Sequence, residues 1–454
     1  MAISLDEARR IHLVGIGGCS MSGLARILNA QGHIVTGSDR EHTPFTEHLG
    51  DEGITVYYGH EEKNVAGADL LIYSAAIKPN NPERVFAREH GIVELERSVA
   101  LGQLSERFHN VVAVAGCHGK TTITSMLAFL NQEANLDATI HVGGFVDLLN
   151  GGVRLGKSDL FITEACEYVE SFLTLSPTIA LINNIDNDHL DCYADMDHIV
   201  NAFFRFCSLV PPEGVILGCI DDPHVAKLLK VCDRSVKTYG YAEGDYHADA
   251  VSYDKNGCVS FDLYDHGKLM GRVELMVLGR HNVMNALGAY AISKELGASF
   301  EAYKAAMKRF VNTQRRFERI GTLNGADLFH DYAHHPSEIS AVLQAASCAP
   351  HNQIYCVFQC NSYTRAKTLF CENVTCFHDA DTVLVPDIYP GREQDTGNVH
   401  ATDMVTAIND QTGNALYLKT FADIKAYLME HAKEGDIIIT LGSGDVYRQT
   451  KSLL

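Results

Sequence analysis

Residues 111–130 read VVAVAGCHGKTTITSMLAFL, and the fold is decided here. The apolar run before Gly116 predicts a buried strand, Gly116 and Gly119 sit in the turn after it, and a helical pattern begins near Lys120. Strand, glycine turn and helix in that order make an anion cradle. Amide N–H groups at the helix start point at the anion, glycine lets the backbone come close, and the lysine adds a point charge. Thr121 follows the lysine and is placed to hold a magnesium ion. The full Walker spacing is not met, because Val114 stands where its first glycine would be. The competing reading is an ordinary strand-to-helix turn with an exposed lysine, and the flanking strand and helix argue against it.

Upstream, RIHLVG, a helix over 21–30, HIVTGSD, ITVYYG and ADLLIYSAAI alternate in the βαβ rhythm of a parallel sheet. The loop GIGGCSMSGLA follows the first of these strands, and Asp39 ends the next. Alone, this invites a dinucleotide reading, but Ser20 occupies the place of the third glycine, and a nucleotide-sugar diphosphate would use the same amides. Downstream, DLFITEA and TIALINNI continue the central series, and 246–278 with its DKNG turn predicts an antiparallel hairpin set. Helical patterns follow over 282–296 and 300–310; NTQRRFERIG then reads as a boundary before a fresh series, ADLFHDYA, IYCVFQ, DTVLVPDI and DIIITLGSG. The expectation is an α/β chain of three domains: a Rossmann-like N-terminal domain over 1–106, a central P-loop ATPase-type domain with a mainly parallel sheet over 107–313, and a C-terminal Rossmann-like α/β domain over 314–454.

Composition narrows the function. A chain of 454 residues, 46% hydrophobic and 21% charged, is a globular protein of more than one core. Its formal net charge of -20 opposes non-specific nucleic-acid binding, so an anionic substrate needs a local cluster of donors. Thirteen scattered cysteines without a C-x-x-C pair suggest reduced thiols rather than a disulfide framework or a zinc site. The N-terminus has no signal-peptide pattern, and no apolar run reaches the roughly 20 residues of a membrane helix. A cytoplasmic protein without a membrane span, monomeric or weakly dimeric, working on small molecules, is expected.

GCHGKTT resembles the G-T-x-G-K-[TS] loop of the Mur ligases, with Cys117 for the threonine, a weaker hydrogen-bond partner. QRRFERIG, HDYAHHPSEI, LVPDIYPGREQDTGNVHA and LGSGDVY resemble further Mur motifs, so the likeness spans essentially the whole chain. It implies an ATP-dependent ligase of peptidoglycan precursor synthesis, forming an amide between the lactyl carboxylate of UDP-N-acetylmuramate and L-alanine through an acyl phosphate. ATP would be held by Gly116, Cys117, His118, Gly119, Lys120, Thr121 and Thr122, with Asn282 and Asn285 toward adenine, Arg316 on the terminal phosphate and Asp331 on the ribose. Thr121, Glu164 and His189 would bind magnesium, manganese being an alternative. The UDP-sugar falls to Gly15, Gly17, Gly18, Ser22, Asp39, His60, Ser74, Ala75, Ala76 and Ile77, and the amino acid to Tyr332, His334, Tyr363 and Arg365. Lys120, Glu164, His189, Arg316 and His335 form the catalytic set, His335 orienting or deprotonating the amine.

The acceptor motif Q-P-H-x-Y-[ST]-R is met by FQCNSYTR, where Gln359, Tyr363, Thr364 and Arg365 fit while Cys360 and Asn361 replace proline and histidine. Two alternatives stay open on that account: a sister ligase adding another amino acid or a peptide, and a non-catalytic nucleotide-binding paralogue. Cys117 is expected to be reactive if the positive loop lowers its pKa. An oxidoreductase built on GIGG is opposed by the missing third glycine and by the second phosphate loop.

Overall fold

The computed structural model describes residues 5–188, 192–391, 393–395 and 397–454. By compactness the chain forms two units. One comprises Met1–His247, Tyr264–Met270 and Met284–Met307; the other comprises Ala248–Leu263, Gly271–Val283 and Lys308–Leu454.

The first unit holds two α/β sheets. The N-terminal one runs Thr55–Tyr58, Ile34–Asp39, Arg10–Val14, Leu70–Tyr73, Val93–Glu96, every pair parallel. Its strand order reverses between Arg10–Val14 and Leu70–Tyr73, which opens a crevice at their carboxyl ends. The glycine loop after Val14 and the SAAI turn after Tyr73 border that crevice.

The central sheet runs Ser235–Gly240, Val215–Cys219, Ile179–Ile182, Asn110–Ala115, Leu160–Ala165, Thr139–Val146, Gly151–Arg154. All neighbours pair in parallel except the last two, an antiparallel ribbon. Val111 to Ala115 and Ala180 to Ile182 are at most 1% exposed, which is why they read as unbroken apolar runs rather than alternating ones. This order sets the phosphate-loop strand between Leu160–Ala165 and Ile179–Ile182, so the residues beyond those strands flank the loop.

The second unit contains most of the hairpin set, from strands Tyr246–Tyr253, Cys258–Asp265 and Lys268–Leu278, adjacent in that order. Its turn forms as DKNG predicts: the Asp254 carboxylate accepts from the amides of Asn256 and Cys258, and Gly257 takes φ +83. The C-terminal sheet runs Glu318–Leu323, Ala326–Asp331, Ile437–Leu441, Ile354–Phe358, Thr382–Val385, Ala415–Tyr417, with only the first pair antiparallel. The α/β class with mainly parallel sheets is therefore as expected. Among the described residues no helix is long and apolar enough to cross a membrane.

Candidate active site

Helix Lys120–Glu133 starts from Gly119 in the left-handed conformation, φ +86. Glycine is required there twice over, because a Cβ would lie 2.5 Å from Asn285 Oδ1 and 2.6 Å from Asn183 Nδ2. Asn184 clamps the turn: its side-chain oxygen accepts from His118 N at 2.7 Å, its Nδ2 donates to His118 O, and its carbonyl accepts from Cys117 N. The first intrahelical donor is Ile123 N, to Gly119 O, so the amides of Lys120 to Thr122 precede the helix ladder. The cradle is thus built from the helix start, while the amides of Cys117 and His118 are committed to Asn184.

Lys120 Nζ donates to Glu167 at 2.7 and 3.0 Å and to the carbonyl of Cys117 at 3.2 Å. Burial pulls its pKa down, but the neighbouring Glu167 carboxylate, with smaller contributions around it, more than reverses this and holds the ammonium charged. Glu167 is 1% exposed.

Cys117 corrects the sequence expectation. Its thiol is buried, donates to Asp186 O at 3.4 Å and accepts from Asp186 N at 3.2 Å; burial, then the Glu167 charge, push its pKa far up. A buried neutral thiol tied to the next loop is not a reactive one. His118 turns its ring to Asp186, Nε2 to carboxylate 2.9 Å.

Glu164 is the last residue but one of strand Leu160–Ala165, with one oxygen accepting from Gly143 N at 2.5 Å and the other from Thr121 Oγ1 at 3.1 Å. A hydroxyl and a carboxylate this close beside a phosphate cradle form part of the hard oxygen set a magnesium ion takes. These residues fit such an ion. His189, the third expected ligand, lies outside the described residues.

At the N-terminal glycine loop Gly15 takes φ +86 and donates to Ser38 O, and Gly17 N donates to Asp39 Oδ2 at 2.8 Å. Gly18 caps helix Cys19–Ala30, which begins two residues before the expected start. Ser22 is buried and its hydroxyl donates to Cys19 O, so it faces its own helix rather than the crevice. Ser74 forms a turn in which Ile77 N donates to Ser74 O, leaving Ala75 and Ala76 exposed. His60 Nδ1 lies 3.0 Å from Ser38 Oγ and 3.2 Å from Glu83 Oε2. Glu83 is fully buried; burial raises its pKa, but hydrogen bonding from His12, then Ser38 and Asn64, carries it below the usual carboxylate range. His60 therefore sits in an internal polar network.

In the second unit Asp331 ends strand Ala326–Asp331 and accepts from Phe317 N and Ala333 N, both at 2.7 Å. Burial lifts its pKa to about 6, against the pull of Arg316. Arg316 Nη1 stands 3.7 Å from Glu338 Oε1 and 4.0 Å from Asp331 Oδ1, with its guanidinium 5.5 Å from the centre of the Tyr332 ring. His334 Nδ1 donates to Tyr332 O at 3.0 Å. His335 caps helix Pro336–Ser347, its Nδ1 accepting from Ser337 N at 3.4 Å. With Nδ1 an acceptor, the neutral ring carries its proton on Nε2, which suits orienting a substrate rather than taking its proton.

Asn282 donates to Leu278 O, whereas Asn285, in the first unit, accepts from Asn183 Nδ2 against Gly119. In the stretch FQCNSYTR Cys360 is buried, Asn361 donates to Ser443 Oγ at 2.8 Å, and Arg365 and Tyr363 stand on the first turn of helix Tyr363–Thr368, which Ser362 caps at φ +72. Gln359 Nε2 donates to Asp387 O, and Thr364 N donates to Glu393.

Against this geometry, the family model "Mur ligase family, catalytic domain" matches residues 10–109, "Mur ligase middle domain" 114–293, and "Mur ligase, glutamate ligase domain" 315–444. A UDP-N-acetylmuramate–L-alanine ligase of Caldanaerobacter subterraneus subsp. tengcongensis is 43% identical over 455 residues, spanning 100% of this chain and 99% of the relative. One of Clostridium botulinum is 43% identical over 443 residues, 98% of this chain and 97% of the relative. Among solved structures, a UDP-N-acetylmuramate-alanine ligase from Thermotoga maritima is similar at TM-score 0.81 and 26% identity, with 98% of each chain covered. A murein peptide ligase from Psychrobacter arcticus is similar at TM-score 0.72 and 26% identity, again with 98% of each covered.

Proposed function

The chain belongs to the Mur ligase family, and from that premise we propose that it joins the lactyl carboxylate of UDP-N-acetylmuramate to L-alanine, with ATP cleaved to ADP and phosphate. The observation that carries the reading is full-length identity of 43% to relatives named for that reaction, on a chain whose phosphate loop keeps Lys120 charged.

A carboxylate resists an amine because oxide is a poor leaving group. Phosphorylation by ATP replaces it with phosphate, and catalysis of that transfer is mainly positioning and charge neutralisation. Glu167 holds Lys120 in place. We assign the ATP phosphates to the amides of Lys120, Thr121 and Thr122, with the Lys120 ammonium turning from Glu167 to share its charge with the terminal phosphate. A magnesium ion on Thr121, Glu164 and His189 supplies Lewis-acid neutralisation of the phosphate oxygens when bound. Gly143 N keeps the Glu164 carboxylate aimed. The lactyl carboxylate, carried by a sugar nucleotide on Gly15, Gly17, Gly18 and Asp39, attacks the terminal phosphorus.

Arg316 is assigned to the transferring phosphoryl group and Asp331 to the ribose. Arg365 is assigned to the amino-acid carboxylate, which a guanidinium fork matches. His335 orients the amine. The neutral amine then attacks the acyl carbon, and as the tetrahedral intermediate collapses the carbon–oxygen bond to phosphate breaks and the nitrogen's proton leaves with the phosphate.

A second reading, a sister ligase with a different acceptor, is favoured by one feature: Asn361, in place of the motif's histidine, is turned to Ser443 Oγ. Mass analysis of the product formed from UDP-N-acetylmuramate, ATP and magnesium with each amino acid or a short peptide decides between them. An L-alanyl product supports the main reading, another amine alone moves the function to a sister ligase, and no product with any acceptor leaves a nucleotide-binding paralogue.

A further inference from the structure

The ribbon of Thr139–Val146 and Gly151–Arg154 places one histidine where the two loops of the first unit meet. His141 is 3% exposed. Its Nε2 lies 3.2 Å from the carbonyl oxygen and 3.1 Å from the hydroxyl of Ser20, and its Nδ1 lies 3.2 Å from Thr163 Oγ1. A carbonyl oxygen can only accept, so the proton sits on Nε2 and Nδ1 is the acceptor. Burial, then the charge of Arg97, lowers the ring's pKa to about 4, so this tautomer holds throughout the neutral range.

Ser20 is the residue standing in place of a third glycine, on the first turn of helix Cys19–Ala30. Its hydroxyl also accepts from Arg97 Nη1 at 3.0 Å. At the other end, Thr163 directly precedes Glu164, and Gly143, two residues along the strand from His141, donates its N–H to Glu164 at 2.5 Å. Cys19 Sγ adds a bond to Val142 O at 3.4 Å. Gly23 gives the ring room: a Cβ there would stand 3.1 Å from His141 Cδ2. One imidazole therefore ties the start of the sugar-loop helix to the two backbone segments that aim the Glu164 carboxylate.

We propose that His141 is a positioning residue that couples the seating of the sugar diphosphate on the glycine-rich loop to the alignment of Glu164, although it touches neither substrate nor metal. The proposal rests on the ligase reading, and a misplacement of about 1 Å between reacting groups is enough to cost rate.

The test measures kcat, the KM of each substrate and the magnesium concentration for half activity in the wild type, in His141→Leu and in His141→Gln, whose carboxamide N–H can again donate to Ser20 O. In His141→Leu the KM for UDP-N-acetylmuramate should rise about tenfold, on the scale of one lost hydrogen bond, and the magnesium requirement should rise with it. The KM for L-alanine should hold, and His141→Gln should restore most of the difference. Wild-type constants in His141→Leu overturn the proposal, as does a uniform loss across all substrates or an absence of rescue by glutamine. If the wild type itself releases no phosphate with any acceptor, the ligase reading fails and takes the proposal with it, an outcome the wild-type control separates from the others.

Discussion

Lys120→Ala should damage the enzyme in two separable ways. Lys120 and Glu167 are 2.7 Å apart, with side chains 13% and 1% exposed. At an effective dielectric near 20, charges at that distance attract by about 6 kcal/mol before desolvation is set against it. Removing one partner of a buried pair costs about 3–5 kcal/mol, because the other is left as an uncompensated buried charge. Lys120→Ala should therefore destabilise the first unit by that order, and Glu167→Gln similarly. The double variant should be more stable than the sum of the two losses implies, with a coupling of at least about 2 kcal/mol. Activity should separate from this. Without the ammonium, kcat should fall by about 10²–10³, as for loss of one preorganised donor to a developing charge, and the double variant should recover stability without recovering rate. Urea unfolding of the four proteins and phosphate release under saturating substrates measure the two effects. Additive stability losses, or Lys120→Ala within tenfold of wild-type kcat, would refute the reasoning.

Three further outcomes follow from the same geometry. Glu164→Gln should raise the magnesium concentration for half activity by at least about tenfold, since a charged oxygen ligand is lost; a titration of rate against magnesium that matches wild type removes Glu164 from the metal. Gly119→Ala should cost about 1–3 kcal/mol from the left-handed backbone alone, more with its Cβ 2.5 Å from Asn285 Oδ1, and should abolish ATP binding measured by calorimetry. His141, with a folded pKa of about 4 against an ordinary 6.5, binds its proton in the unfolded chain first. Its contribution is present above pH 6.5 and is lost as pH falls toward 4, about 3 kcal/mol in all, so unfolding of His141→Leu should depend less steeply on pH over that window by up to one proton.

The parts of the fold legible in sequence are those whose signal is local. VVAVAG and TIALINNI announced buried parallel strands because both faces are covered, and GCHGKTT announced its turn because Gly119 needs a backbone only glycine adopts without strain. The DKNG turn was equally local. Residues that depend on distant partners were harder. Glu167 stood in plain view beside Glu164, yet nothing in the string tells which of two carboxylates meets the lysine 47 positions earlier. Cys117 reads as open to the loop's charge, yet Asp186 encloses it. The ribbon carrying His141 is not legible in the sequence, although Asn150, Gly151 and Gly152 between apolar stretches are a turn signal, because Gly143 and Gly144 break the alternation of its first strand. His60, placed by resemblance at the sugar, is held by Glu83, whose burial no local pattern reveals.

The central claim is that the lactyl carboxylate is activated by direct transfer of a phosphoryl group. UDP-N-acetylmuramate labelled with heavy oxygen in that carboxylate, turned over with ATP, magnesium and L-alanine, tests it most directly by mass analysis of the released phosphate. An acyl phosphate requires one labelled oxygen to leave with each phosphate while the other stays in the amide. Phosphate free of label, with an amide still formed, would contradict the account.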